Sequence, residues 1–116
     1  MNHDELYLRH ILEAAQKVLR FTEGLNKDDF LKNELVQSAV IRQLEIIGEA
    51  SSKISESFQK SHPELPWMDI IGMRHKLIHN YAGVRLGIVW ETLERDLPEL
   101  EKTILTWFPD WKAQED

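Results

Sequence analysis

Pro66-Trp67-Met68-Asp69-Ile70-Ile71-Gly72-Met73-Arg74-His75-Lys76-Leu77-Ile78-His79-Asn80-Tyr81 is the stretch that decides how this chain folds and what it does. Pro66 suits the first turn of a helix, where its missing N–H would have no partner in any case. At about 100° per residue, Trp67, Ile70, Ile71, Ile78 and Tyr81 fall on one apolar stripe. The spacing predicts a helix from Pro66 to about Tyr81, with Gly83 nearby as a stop signal. Arg74 stands in the middle of the stripe. A guanidinium cannot be deprotonated to escape burial, so it needs a partner, water or an open cleft.

The flanking sequence is helical as well. Tyr7, Ile11, Ala14, Val18, Phe21 and Leu25 recur at spacings of four and three, the signature of a long first helix. Gly24 and Asn26 mark its end, and Asp28 or Asp29 is the expected cap of the next. Val36, Val40, Leu44, Ile47, Ile54 and Phe58 share one side of a second helix of about 25 residues, with Gly48 inside it. Residues 61–66 form a turn-rich connection. Leu86, Val89, Trp90, Leu93, Leu97, Leu100, Ile104 and Trp107 form a last apolar face. Pro98 is expected to kink or split that helix, and Pro109 to end it. No strand-like alternation, repeat or linker interrupts the pattern. The expected fold is all-α, an antiparallel bundle of four to five helices in a single domain over residues 1–116.

Composition sets limits. A chain of 116 residues can bury roughly two-thirds of its unfolded surface. It has no cysteine, so disulfides and thiolate chemistry are excluded. The polar, acidic N-terminus lacks the pattern of a signal peptide, and no apolar run is long enough for a bilayer. The expected location is the cytoplasm. A net charge of -6 argues against a protein that coats nucleic acid non-specifically. It leaves room for an enzyme that grips a few phosphates, or for a basic partner.

RNA cleavage without a metal is one chemistry that the residue types of the central stretch could supply. The 2′-hydroxyl can attack its own phosphate if one group removes its proton and another protonates the leaving oxygen. Positive charge must also stabilise the crowded phosphoryl oxygens. Histidine titrates near neutral pH and serves as base or acid. Arginine holds phosphate oxygens with a rigid fork of donors. Arg74 and His79 supply both functions from one helix, although five residues separate them by about 140° and about 7.5 Å of rise. A two-fold dimer that brings two such helices together would build one cleft from both copies. The plainer alternative for Arg74 is an ion pair with Glu45 or Glu49 on a neighbouring helix. For the histidines it is an ordinary hydrogen bond, and for Tyr81 an aromatic at a helix end.

Arg74-His75-Lys76-Leu77-Ile78-His79-Asn80-Tyr81 resembles the R-x4-H-x-Y motif of the HepT-like toxins within the broader HEPN group. The likeness extends to Val40 through Ala50, to Pro66 through Met73, to Val89 through Thr92 and to Asp96 through Leu100, and so covers most of the chain. The resemblance implies a HEPN-like bundle that acts as a homodimer, with metal-independent endoribonuclease activity at the dimer cleft. It implies Arg74 and His79 as the catalytic pair. It implies Tyr81 as the tyrosine that a cognate minimal nucleotidyltransferase antitoxin modifies with AMP, as in type VII-like toxin–antitoxin systems. His75 departs from the polar residue, often asparagine, that follows the arginine in many such motifs, and is assigned a supporting place. No cofactor is implied.

Two rivals remain in view. A non-catalytic HEPN module would bind nucleotide or a nucleotidyltransferase and cut nothing, which suits the acidic charge. A metal site would use His75 and His79 at the i, i+4 spacing of a ligand pair. Against it, Lys76 stands where a zincin has its glutamate, and no third ligand is evident.

Overall fold

A computed structural model describes the backbone of residues 3–79 and 85–111, and the side chains of these residues except 74–79. The elements in chain order are α1 (His3–Phe21), α2 (Lys27–Leu31), α3 (Glu34–Ser52), α4 (Glu56–Ser61) and α5 (Trp67–His79). Then come α6 (Leu86–Glu91), a wide π-type turn (Thr92–Asp96) and α7 (Leu97–Trp107). Among the described residues there is no strand. The four long helices are α1, α3, α5 and α7, so the all-α, HEPN-like bundle expected from periodicity is the fold observed.

In this bundle α3 is flanked by α1 and α5, and α7 packs on α1. Asp4, at the start of α1, meets Ser55, just past the end of α3, so these two helices run antiparallel. Their shared seam is one core of Leu8, Ile11, Ala15 and Val18 against Val40, Leu44 and Ile47, closed by Ile104 of α7. Phe30 of the short α2 is fully buried and plugs one end, its ring 5.5 Å from that of Trp90. Removing a ring of this kind typically costs about 3–5 kcal/mol. The chain beyond α7 is tied back to α1. Trp111 stacks on Phe108 at 4.0 Å, and the Arg9 guanidinium lies 4.2 Å from the Trp111 ring. No described helix is long and apolar enough to cross a membrane.

Two local expectations are corrected, and a third, the split at Pro98, is found in an unusual form. The cap of the helix after Gly24 is Asn26 rather than Asp28 or Asp29. Its Oδ1 accepts from the Asp29 N–H at 2.8 Å, while Asp29 accepts from the Asn26 N–H at 3.1 Å, a reciprocal capping box. Gly24 takes a positive φ of 80° and turns the chain off α1.

The long second helix ends at Ser52 and restarts at Glu56. The break comes from α1. Asp4 accepts hydrogen bonds from the Ser55 backbone N–H at 2.7 Å and from its hydroxyl at 2.6 Å. The same Oγ caps α4 by accepting from the Phe58 N–H at 3.2 Å. Ile54 stays buried through the break, so the apolar spacing survives while the helix does not.

Pro98 splits its helix without ending it. In a regular helix its ring would collide with the Glu94 carbonyl. The chain instead widens by one residue, and the Leu97 N–H donates to the Thr92 carbonyl. A π-type turn of this kind lets the helical path continue past a proline. Val89, Trp90, Leu93, Leu97, Leu100 and Ile104 all remain buried across it.

Candidate active site

The start of α5 is held by a cluster of rings. Pro66 precedes the helix, and its carbonyl accepts from the Ile70 N–H at 3.0 Å. Trp67 is buried, and its indole N–H donates to the His62 carbonyl at 2.8 Å. His62 stacks on Phe58 at 3.9 Å and meets Trp107 edge-on at 4.6 Å. Trp67 stacks on Trp107 at 6.3 Å. The Trp107 indole N–H donates to Glu64 at 3.0 Å. Hydrogen bonds to the Glu64 carboxylate, first from its own backbone and then from Trp107, hold that carboxyl below the usual range, and the nearby His62 adds to this. Sequence reasoning treated residues 61–66 as a plain connection. The signal for more was two tryptophans and a histidine at places with no helical relation to one another.

From this anchor α5 runs without a break to His79. Trp67, Ile70 and Met73 are the described residues of α5 that pack on the core. The expected stripe included Ile71, which is not among them, and omitted Met73. Met68 is 76% exposed. Arg74, His75 and His79 lie on the C-terminal half of the helix, and their side chains are outside the described residues. Tyr81 lies outside them altogether. The continuous backbone gives Arg74 and His79 the five-residue helical separation expected of them, about 7.5 Å of rise.

Glu45 and Glu49, the alternative partners for Arg74, lie on α3. An Arg42 nitrogen is 3.7 Å from Glu45, and the Lys53 ammonium is 3.6 Å from Glu49. These residues line a polar cleft of about 400 Å³ against α1, where the Tyr7 and His10 rings meet edge-on at 6.0 Å. Among the described residues no three His, Asp or Glu side chains are grouped to hold a metal. His75 and His79 lie outside that set.

An all-helical bundle carrying an R-x4-H motif on one uninterrupted helix defines the HEPN-like class. Within that class, residues 11–106 match the family described as ribonuclease HepT-like, and the chain belongs to that family. It is similar to a protein of Thermococcus cleftensis named probable ribonuclease HepT, with 46% identity over 82% of this chain and 86% of the relative. It is 43% identical to a protein of Caldanaerobacter subterraneus subsp. tengcongensis, over 84% of this chain and 88% of that one. It is 39% identical to one of Methanocaldococcus jannaschii, over 84% of this chain and 90% of that one. The names of these last two assign RNase activity provisionally. No solved structure matches the chain.

Proposed function

We propose that this protein is a metal-independent endoribonuclease, the toxin of a toxin–antitoxin pair, that cuts RNA at a composite site in a homodimer cleft. The observation that carries the reading is Arg74 and His79 on one continuous helix inside the segment that matches a ribonuclease family. The names of the relatives support the ribonuclease part. Two copies of α5 across a two-fold axis would offer two arginines and two histidines to one phosphate. One histidine accepts the 2′-hydroxyl proton, and the freed oxygen attacks phosphorus. The bond to the 5′-oxygen breaks, and the other histidine protonates that oxygen. The products are a 2′,3′-cyclic phosphate and a 5′-hydroxyl. Arg74 binds the equatorial oxygens, where charge gathers in the transition state.

Control would act at Tyr81. A cognate nucleotidyltransferase transfers AMP from ATP to the tyrosine oxygen, pyrophosphate leaves, and the hydroxyl proton is lost. The added phosphate would pair with an arginine meant for the RNA backbone. The net charge of -6 favours one rival, a non-catalytic module that binds nucleotide or the transferase.

One set of assays separates these readings. The unmodified protein should cleave RNA in EDTA. Arg74→Ala and His79→Ala should each lose about a hundredfold or more while keeping their helical content. Arg74→Lys should also be poor, because a point charge does not replace a planar fork, and His75→Ala should lose only part. Tyr81→Phe should cleave and resist silencing by the transferase with ATP. Full activity in His79→Ala, or no cleavage by the unmodified wild type, would defeat the enzymatic reading.

A further inference from the structure

A groove of about 730 Å³ runs between the first half of α5 and the α6–α7 strand of the bundle. Its walls and floor are apolar and include Leu44, Ile47, Met73, Val89, Leu97 and Leu100. Ile88, which also lines the groove, is 54% exposed. Among the described residues, four carboxylates line the groove, Glu64, Asp69, Asp96 and Glu99, with one cation, Arg85. Glu64 is engaged by the Trp107 indole. Asp69, Asp96 and Glu99 are exposed, and none of them pairs with a cation among the described residues.

We propose that this groove seats a basic amphipathic helix of a different protein. An apolar trough takes the hydrophobic face of a helix through anchors spaced three and four apart. An unneutralised acidic rim then selects lysine and arginine on the flanks of that helix and repels acidic ones. A second copy of this chain is the poorer occupant. A two-fold contact uses the same patch on both sides. It would therefore bring six unpaired carboxylates together against two Arg85 side chains. RNA is excluded by the same sign of charge. Met73, one residue before Arg74 in the chain, lines the groove, so its occupant would lie near the motif half of α5. The inference stands on the charge and shape of the groove and does not depend on the ribonuclease reading.

The test uses the full chain and two 18-residue helical peptides, one of leucine and lysine in amphipathic order, the other with glutamate in place of lysine. Binding is followed by fluorescence anisotropy at low and high salt. The lysine peptide should bind, and more weakly as salt rises. Ile88→Ser should weaken it about tenfold. The triple variant Asp69→Asn, Asp96→Asn, Glu99→Gln should weaken it several-fold at low salt and flatten the salt dependence. All four positions are exposed, so the variants should keep the wild-type circular dichroism. The proposal is overturned if the glutamate peptide binds equally well, or if either variant binds the lysine peptide as tightly as the wild type. It is also overturned if Ile88→Ser turns a dimer into a monomer by light scattering, because the groove would then be the seat of a second copy.

Discussion

Two places in this bundle depart from a regular helix beneath an unbroken apolar stripe, and they do so in opposite ways. At residues 53–55 there is neither proline nor glycine, yet the helix stops. At residues 92–98 there is a proline, yet the helical path goes on. The difference lies in where the backbone hydrogen bonds go. Asp4 offers the Ser55 N–H a charged acceptor from outside the helix, and the chain takes it. Near Pro98 the Leu97 N–H reaches one carbonyl further back within its own helix, and the widened turn makes room for the proline ring. A breaker residue is thus neither necessary nor sufficient for a break. The first junction sets the approach to α5, and the second shapes the far wall of the groove beside it.

The sharpest way to break this contrast is Asp4→Ala. It removes a nearly buried carboxylate that accepts two short hydrogen bonds, and strands the Ser55 N–H. Charge-assisted bonds of this kind contribute roughly 1.5–3 kcal/mol each, not additively, so a loss of about 2–3 kcal/mol in urea unfolding is expected. A loss below about 0.5 kcal/mol would mean that the break is set locally and not by α1. Pro98→Ala should do less. The burial of Val89, Trp90 and Leu93 on one side and Leu97 and Leu100 on the other holds the register. A change within about 1 kcal/mol is therefore expected, since the restored N–H enters a turn already widened. A larger stabilisation would show that the proline, and not the packing, imposes the π-type turn.

The smallest effect concerns the strap from the connection before α5 to the end of α7, Glu64 to Trp107. Because the Glu64 carboxyl is held below its ordinary range, its stabilising effect is present above that range and is lost as pH falls through the lowered value. Glu64 is fully exposed, so the effect is slight. Comparing thermal midpoints of wild type and Glu64→Gln, the small difference between them should shrink on acidification. A difference that grows on acidification would have the wrong sign for this account.

The four long helices were legible because burial repeats along one helix at a fixed interval. Ile11, Ala14 and Val18, then Val40, Leu44 and Ile47, then Leu93, Leu97, Leu100 and Ile104 are all buried as their spacing required. What was not legible depends on pairs far apart in sequence. Asp4 and Ser55 are 51 residues apart, and Glu64 and Trp107 are 43 apart. No local pattern announces such a meeting. Even Asn26 was passed over for the aspartates beside it, because all are good caps and only the backbone geometry chooses between them. The candidate site was legible in residue types, in that an arginine among apolar neighbours demands an explanation and a histidine five residues further supplies a chemistry. The proposed cleft, shared by two copies, would leave no spacing in either one, so the order of residues in a single chain would not announce it.

The clamp at Asp4 also has a consequence in time. During synthesis the first helix leaves the ribosome with its acidic end open, and it must wait for the next 51 residues before Ser55 arrives to close it. Until then the apolar face of α1 has only what has so far emerged of α3 to lie against. The expected order of assembly is α1 on α3 first, the clamp next, and then α5 on the junction they form, which pulse-labelling hydrogen exchange during refolding would check.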